Sequence, residues 1–263
     1  MSSAQSSGMR ALNRLLRSFG MEIHPVGTKS AAEWPGFLDV EPWVEAIIKR
    51  VRPFTMTSAE RISALCHAVR YVAKHNIPGD IVECGVWRGG SMMAAALSLR
   101  AEQDLSRTLY LFDTFAGMPP PSDVDRAALS GKAASALLEE TDTSSPIWAR
   151  ALTDDVRANM ATTGYPAERV KFIEGRVEDT IPSEAPEEIA VLRLDTDWYE
   201  STKHELIYLY PKLSIGGVLI IDDYGYWEGA RKAVDEFIKE NGLVIFLQRI
   251  DDTGRIAVKL GQV

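Results

Sequence analysis

Two constellations in the sequence carry residue types that could do chemistry together. The first lies at residues 80–91, where Ile81, Val82 and Cys84 read as a short buried strand that stops at Gly85. Gly89 and Gly90 let the chain turn tightly, and a helix of small and apolar residues begins at Ser91. A strand, a glycine turn and a helix N-terminus let a ligand approach the main chain closely. The dinucleotide pattern G-x-G-x-x-G is not met, because Trp87 stands where its second glycine is required. Glu83 instead puts a carboxylate at the strand end. An acid at that spacing from Gly85 and Gly89-Gly90 suits the cationic methionine end of S-adenosylmethionine; a purely structural glycine turn is the alternative.

The second constellation is acidic. Asp195, Asp222 and Asp223 follow the apolar runs 189–194 and 218–221, which read as neighbouring parallel strands. Ligands of such sheets bind beyond the carboxyl ends of the strands. Three carboxylates converging there with no Lys or Arg between them repel unless a cation lies among them. An oxygen-only donor set suits Mg²⁺. The alternative is that each Asp ends its strand and caps a helix. Asp197 is open to two readings, a proton acceptor or the cap of a helix starting at Trp198. Asp113 ends the run 108–112, where an acid can accept hydrogen bonds from ribose hydroxyls or merely cap the next turn. The histidines are scattered, and Cys84 has no activating partner.

The elements that must position these residues follow in chain order. Residues 1–8 form a polar tail. Residues 9–19 place Leu12, Leu15, Leu16 and Phe19 at helical spacing among arginines, a basic amphipathic helix expected to dock on its own protein or a twin subunit rather than on a membrane. Helices are expected at 41–51 and from Thr57 or Ser58, as cap, to Lys74. Strands follow at 108–112, 170–173, 189–194 and 218–221, with helices at 198–212 and 229–240. Residues 174–178 would lie beside an adenine. Residues 243–250 and 255–260 form a hairpin around Asp251-Asp252-Thr253-Gly254. Residues 115–163, broken by Pro119-Pro120-Pro121 but helical over 127–140, form an insertion of the kind that serves as a lid.

This pattern describes an α/β chain with the Rossmann-like class I methyltransferase fold. Its mostly parallel, doubly wound sheet closes on a C-terminal antiparallel hairpin, with an N-terminal helical extension and a lid insertion. The expected division is an N-terminal tail and helical cap over 1–76 and an S-adenosylmethionine-dependent methyltransferase domain over 77–263.

Composition narrows the function. The 263 residues carry 37 acidic against 29 basic side chains, a net charge of −8 with no basic stripe, so no nucleic-acid partner is expected. The chain has 2 cysteines, and a bridge would have to reach into the glycine-motif strand, so reduced thiols in a cytoplasm are expected. No apolar run is long enough for stable membrane insertion, and no secretory apolar core stands near Met1.

Several longer stretches carry a family resemblance. Residues Thr55-Met56-Thr57-Ser58-Ala59-Glu60-Arg61, Ile77-Pro78-Gly79-Asp80, Val82 through Ser91 and Leu194-Asp195-Thr196-Asp197-Trp198-Tyr199-Glu200-Ser201-Thr202 resemble the macrocin O-methyltransferases, sugar O-methyltransferases of macrolide and aminocoumarin antibiotic pathways. The resemblance runs from about Trp34 to the hairpin. It implies S-adenosylmethionine and Mg²⁺ as cofactors, and a sugar hydroxyl of a small glycosylated natural product as acceptor. Sugars of exopolysaccharides or glycolipids are the alternative acceptors. Its metal aspartates fall on Asp195, Asp222 and Asp223. Glu83, Gly85 and Ser91 match its cofactor motif, Asp113 its ribose acid, and Val177-Glu178 its adenine side. Thr55, Met56, Cys84, Val86, Thr114, Phe115, Arg176 and Asp195 complete the expected cofactor lining. The layout is also similar to catechol O-methyltransferases, whose base is a lysine three residues after the first metal aspartate. Trp198 stands there, so Asp195, or failing that Asp197, must accept the proton. A homo-oligomer is expected. A non-catalytic nucleotide- or sugar-binding protein and a nicotinamide-dependent sugar oxidoreductase are the competing classes.

Overall fold

The computed structural model describes residues 40–143 and 145–261; the expected amphipathic helix at 9–19 lies outside them. Residues from Val40 onward form one compact unit, so the two helices before Asp80 belong with the sheet. These are α1 (Pro42–Val51) and α2 (Ala59–Lys74). Of the two possible caps for α2 it is Ser58 that acts, its Oγ accepting from Arg61 N–H at 3.1 Å.

Seven strands follow: β1 (Asp80–Cys84), β2 (Leu109–Asp113), β3 (Val170–Glu174), β4 (Ile189–Leu194), β5 (Leu213–Ile221), β6 (Gln248–Arg249) and β7 (Arg255–Val258). They form one sheet in the order β3-β2-β1-β4-β5-β7-β6, parallel up to β5 and antiparallel beyond it. The crossover helices are α3 (Gly90–Ala101), the short α6 (Val177–Thr180), α7 (Tyr199–Leu209) and α8 (Glu228–Glu240). This is the expected class I methyltransferase arrangement, and strand order reverses between β1 and β4, where such sheets bind ligands.

Local departures have local causes. Strand β5 starts five residues before Val218 and runs through Gly216-Gly217, because Gly216 at φ +82° absorbs a kink that keeps both sides paired. Only Gln248–Arg249 pairs with β7, although Leu243, Ile245 and Leu247 still pack on the core. In the insertion, residues 127–133 turn back in a bridged loop around Ser130-Gly131, so only Ala134–Glu139 (α4) is helical of the expected 127–140. A further helix, α5 (Thr153–Ala161), completes the insertion.

One face of the sheet is apolar. Val82, Cys84, Leu192, Leu194, Leu219 and Ile221 pack there against Leu206 and Leu209 of α7 and Val234 and Phe237 of α8. Side chains alternate along a strand, so Glu83 of β1 and Arg193 of β4 point to the other face. They are direct cross-strand partners. Arg193 is 2% exposed and Glu83 is 1% exposed, and the two form an ion pair. A buried guanidinium in the middle of the sheet is retained only while its carboxylates are present. Replacing Arg193 by Met should lower stability to urea by about 3–5 kcal/mol, because the buried acids it faces lose their counter-charge. Loss below 1 kcal/mol would show that water reaches this face.

Candidate active site

A cavity of about 490 Å³ opens at the carboxyl ends of β1, β2, β4 and β5. Two glycines make it possible. A Cβ on Gly85, which sits at φ +82°, would lie 2.0 Å from the Asp195 carbonyl oxygen, so only glycine lets the loop after β1 touch the loop after β4. A Cβ on Gly90 would lie 2.5 Å from the Phe54 carbonyl oxygen, and its absence lets the Phe54-Thr55 segment cross the start of α3. Thr55 and Met56 thereby become part of the wall, together with Gly85, Val86, Ser91, Asp113, Thr114, Arg176, Val177, Glu178 and Asp195.

Three residues expected to bind cofactor do not line the cavity. Glu83 lies one residue inside the sheet and is engaged by Arg193; burial outweighs that partner and pushes its carboxyl up to about 7. Cys84 points to the opposite, apolar face, where burial pushes its thiol up, and its carbonyl accepts from Asp195 N–H at 2.9 Å. Phe115 turns its ring against Phe172, centroids 6.4 Å apart. Asp113 does face the cavity, but its carboxylate also holds backbone. Oδ2 accepts from Val86 N–H at 2.7 Å and Trp87 N–H at 2.9 Å, and Oδ1 from Phe115 N–H at 2.8 Å. It therefore shapes the glycine loop as well as offering oxygen to a ligand.

The acidic residues converge as expected. Oxygens of Asp195, Asp222 and Asp223 lie within 4.8 Å of one another. The expectation that no basic residue lies among them is overturned. Arg193 donates to Asp195 Oδ2 at 2.6 Å and also to Asp222. Arg61 of α2 pairs with Asp222 and, at 2.9 Å, with Asp251 of the hairpin turn. Thr57 Oγ donates to Asp222 Oδ1 at 3.2 Å. Arg193 escaped notice because a strand was read for its apolar residues, and Arg61 because nothing in the chain shows that α2 reaches β5.

The two guanidiniums do not balance the cluster. Asp223 Oδ2 is buried without a hydrogen-bond partner. Burial and the facing acids hold the Asp195 and Asp223 carboxyls well above the usual carboxylate range, despite Arg193 near the first and Arg61 near the second. An orphaned buried oxygen among oxygen donors fits a hard divalent cation on Asp195, Asp222 and Asp223.

Asp197 does not cap α7, which has no side-chain cap from Trp198 and receives Asp125 at Tyr199 N–H instead. Asp197 accepts from Trp227 Nε1–H at 2.8 Å, and burial together with Asp195 pushes it up to about 7. Between the two acids, Thr196 is held by buried Glu205, whose Oε1 accepts from Thr196 Oγ at 2.9 Å. Tyr226, Trp227, Met118, Pro119 and Ile147 add mostly apolar surface to the cavity wall. Among the described residues, no helix is long and apolar enough to cross a membrane.

Known proteins resemble this chain in sequence and fold. The family model for macrocin O-methyltransferase (TylF) matches residues 49–258. The chain is 36% identical over 200 residues, 76% of this chain and 73% of the relative, to demethyldecarbamoylnovobiocin O-methyltransferase of Streptomyces niveus. It is 34% identical over 76% of each chain to mycinamicin III 3''-O-methyltransferase of Micromonospora griseorubida. Among solved structures, the O-methyltransferase NovP superposes with a TM-score of 0.69 at 34% identity, over 79% of this chain and 83% of that one. The calicheamicin methyltransferase CalS11 shares the fold, with a TM-score of 0.57 at 21% identity over 87% of this chain and 98% of that one. By the extent of the family match and the identity of these relatives, the chain belongs to the macrocin O-methyltransferase family and is an O-methyltransferase.

Proposed function

We propose that this enzyme transfers a methyl group from S-adenosylmethionine to a sugar hydroxyl of a small glycosylated natural product, with Mg²⁺ held by Asp195, Asp222 and Asp223. The observation that carries the reading is a single cavity whose wall runs from the glycine loop and Asp113 to the acidic cluster. Relatives named for novobiocin and mycinamicin precursors support a glycosylated acceptor of antibiotic type.

Bound S-adenosylmethionine supplies the activated methyl group. A divalent ion on the three aspartates would lower the pKa of an acceptor hydroxyl, as metals do for water. The chain's own residues do the rest. Gly85 lets the main chain approach the cofactor, Asp113 offers its carboxylate to the ribose, and Val177-Glu178 flank the adenine. The apolar wall of Tyr226, Trp227, Met118 and Ile147 holds the acceptor and excludes water, and holding the reacting atoms in line lowers the barrier by several kcal/mol. Proton acceptance falls to Asp195 or Asp197. The geometry favours Asp197, because Asp195 is engaged by Arg193 and is assigned to the ion, whereas Asp197 is held by the uncharged Trp227 indole and by Asp223.

Calorimetric titration should show binding of S-adenosylhomocysteine and none of NAD⁺; the reverse result would return the chain to the oxidoreductase class. Asp113→Ala should weaken S-adenosylhomocysteine binding by about 1.5–3 kcal/mol, a charged hydrogen-bond partner being lost together with the order of the 86–87 loop. Unchanged affinity would move the ribose elsewhere.

Turnover is measured as label transfer from S-adenosylmethionine to demethyldecarbamoylnovobiocin and mycinamicin III. Chelation of divalent ions, and separately Asp223→Asn, should abolish it while S-adenosylhomocysteine binding stays nearly intact. Full activity in chelator would remove the metal from the reading. Asp197→Asn should lower kcat by about 100-fold or more with little change in cofactor affinity. A kcat close to wild type would give the proton to Asp195.

A further inference from the structure

One buried carboxylate has no part in the chemistry above. Asp125 belongs to the insertion and is 0% exposed. Ser122 donates to its Oδ2 from both N–H and Oγ–H, each at 2.7 Å, and Tyr199 N–H donates to its Oδ1 at 2.8 Å. Tyr199 is the first residue of α7, so this N–H has no partner within the helix. Only Trp198 separates it from Asp195-Thr196-Asp197. Asp197 has φ +69°, a left-handed conformation that an aspartate keeps only where its surroundings fix it. The same Oδ1 also rests against Gly229, where a Cβ would come within 1.9 Å of it. Gly229 lies in the first turn of α8, just after the loop that carries Asp222 and Asp223.

We propose that Asp125 is a positioning residue for the acidic cluster. Its carboxylate clasps the positive end of α7 and so holds the 195–197 loop in the conformation that methyl transfer needs. Because Asp125 sits in the insertion, the same clasp fixes the acceptor wall to the residues that handle the acceptor's proton. The backbone bridge between Ala127 and Trp227, whose indole holds Asp197, and the Trp198 Nε1–H bond to Pro119 O at 2.9 Å reinforce it. The role assigned to the cluster rests on the proposed function; the clasp itself is a matter of backbone order.

The test compares full-length wild type, Asp125→Ala, Asp125→Asn and Ser122→Ala. Three quantities are read: hydrogen exchange of the peptide 195–201, S-adenosylhomocysteine affinity by calorimetry, and kcat and KM with demethyldecarbamoylnovobiocin or mycinamicin III. Asp125→Ala should speed exchange in 195–201 and lower kcat by roughly tenfold to a hundredfold, with KM and cofactor affinity within about twofold. In Asp125→Asn the side-chain carbonyl can still accept from Tyr199 N–H while the bond from Ser122 N–H is lost, so protection and kcat should return in part. Ser122→Ala should fall between wild type and Asp125→Ala, and it carries the test by the same readouts if Asp125→Ala does not fold. Wild-type exchange and kcat in Asp125→Ala overturn the proposal. So does a fall in kcat accompanied by equal losses of cofactor affinity and thermal stability, which marks a merely structural residue. If wild type methylates neither acceptor and binds no S-adenosylhomocysteine, the proposed function fails, while the exchange comparison still decides for or against the clasp.

Discussion

The Arg193 guanidinium, buried at the centre of the sheet and shared by Glu83, Asp195 and Asp222, is the interaction on which the rest of the structure depends. A charge in that position is costly to desolvate, and its carboxylate partners make it tolerable. Those partners come from three adjacent strands, so the ion cluster also fixes how the ends of β1, β4 and β5 stand relative to one another. The cavity opens at those ends. Stability and site geometry therefore share one set of side chains.

The same cluster explains why an enzyme of this family can gather so many acids. Arg193 and Arg61 neutralise part of the charge and hold Asp195 and Asp222 in place. Asp223 keeps a buried oxygen without a partner. Protein cations thus balance part of the cluster and leave it negative, as the proposed divalent ion would require. The hairpin contributes as well, since Asp251 takes the other side of Arg61 and ties α2 to the far edge of the sheet. The antiparallel closure that distinguishes this fold from dinucleotide-binding sheets thus has an electrostatic role beyond covering an edge strand.

The insertion between β2 and β3 has a small apolar core of its own. Ala127, Ala134 and Leu138 pack with Trp198, Trp227 and Ala230, which belong to the segments around the acidic loops. Its position is set by contacts to both loops, through Asp125, Pro119 and Trp227. A wall attached in this way would present one geometry to the proposed acceptor and to the acids assigned its proton.

The sequence by itself determined the strand order class, the glycine turn and the acidic strand ends. Each rests on local signals: apolar runs of strand length, Gly85 before the turn, and aspartates where the runs stop. Parallel strands with crossover helices, closed by the hairpin after Leu243, were enough to indicate the methyltransferase variant of the sheet. Only the tertiary structure decided how those acids are paired. Glu83 and Arg193 are 110 positions apart and meet because β1 and β4 are neighbours in register, which no local pattern encodes. Arg61 and Asp125 reach the site across α2 and the insertion in the same way. The Cys84 side chain lies away from the cavity for a related reason: strand alternation turns adjacent side chains to opposite faces, and which face meets the cavity depends on the helices packed against the other.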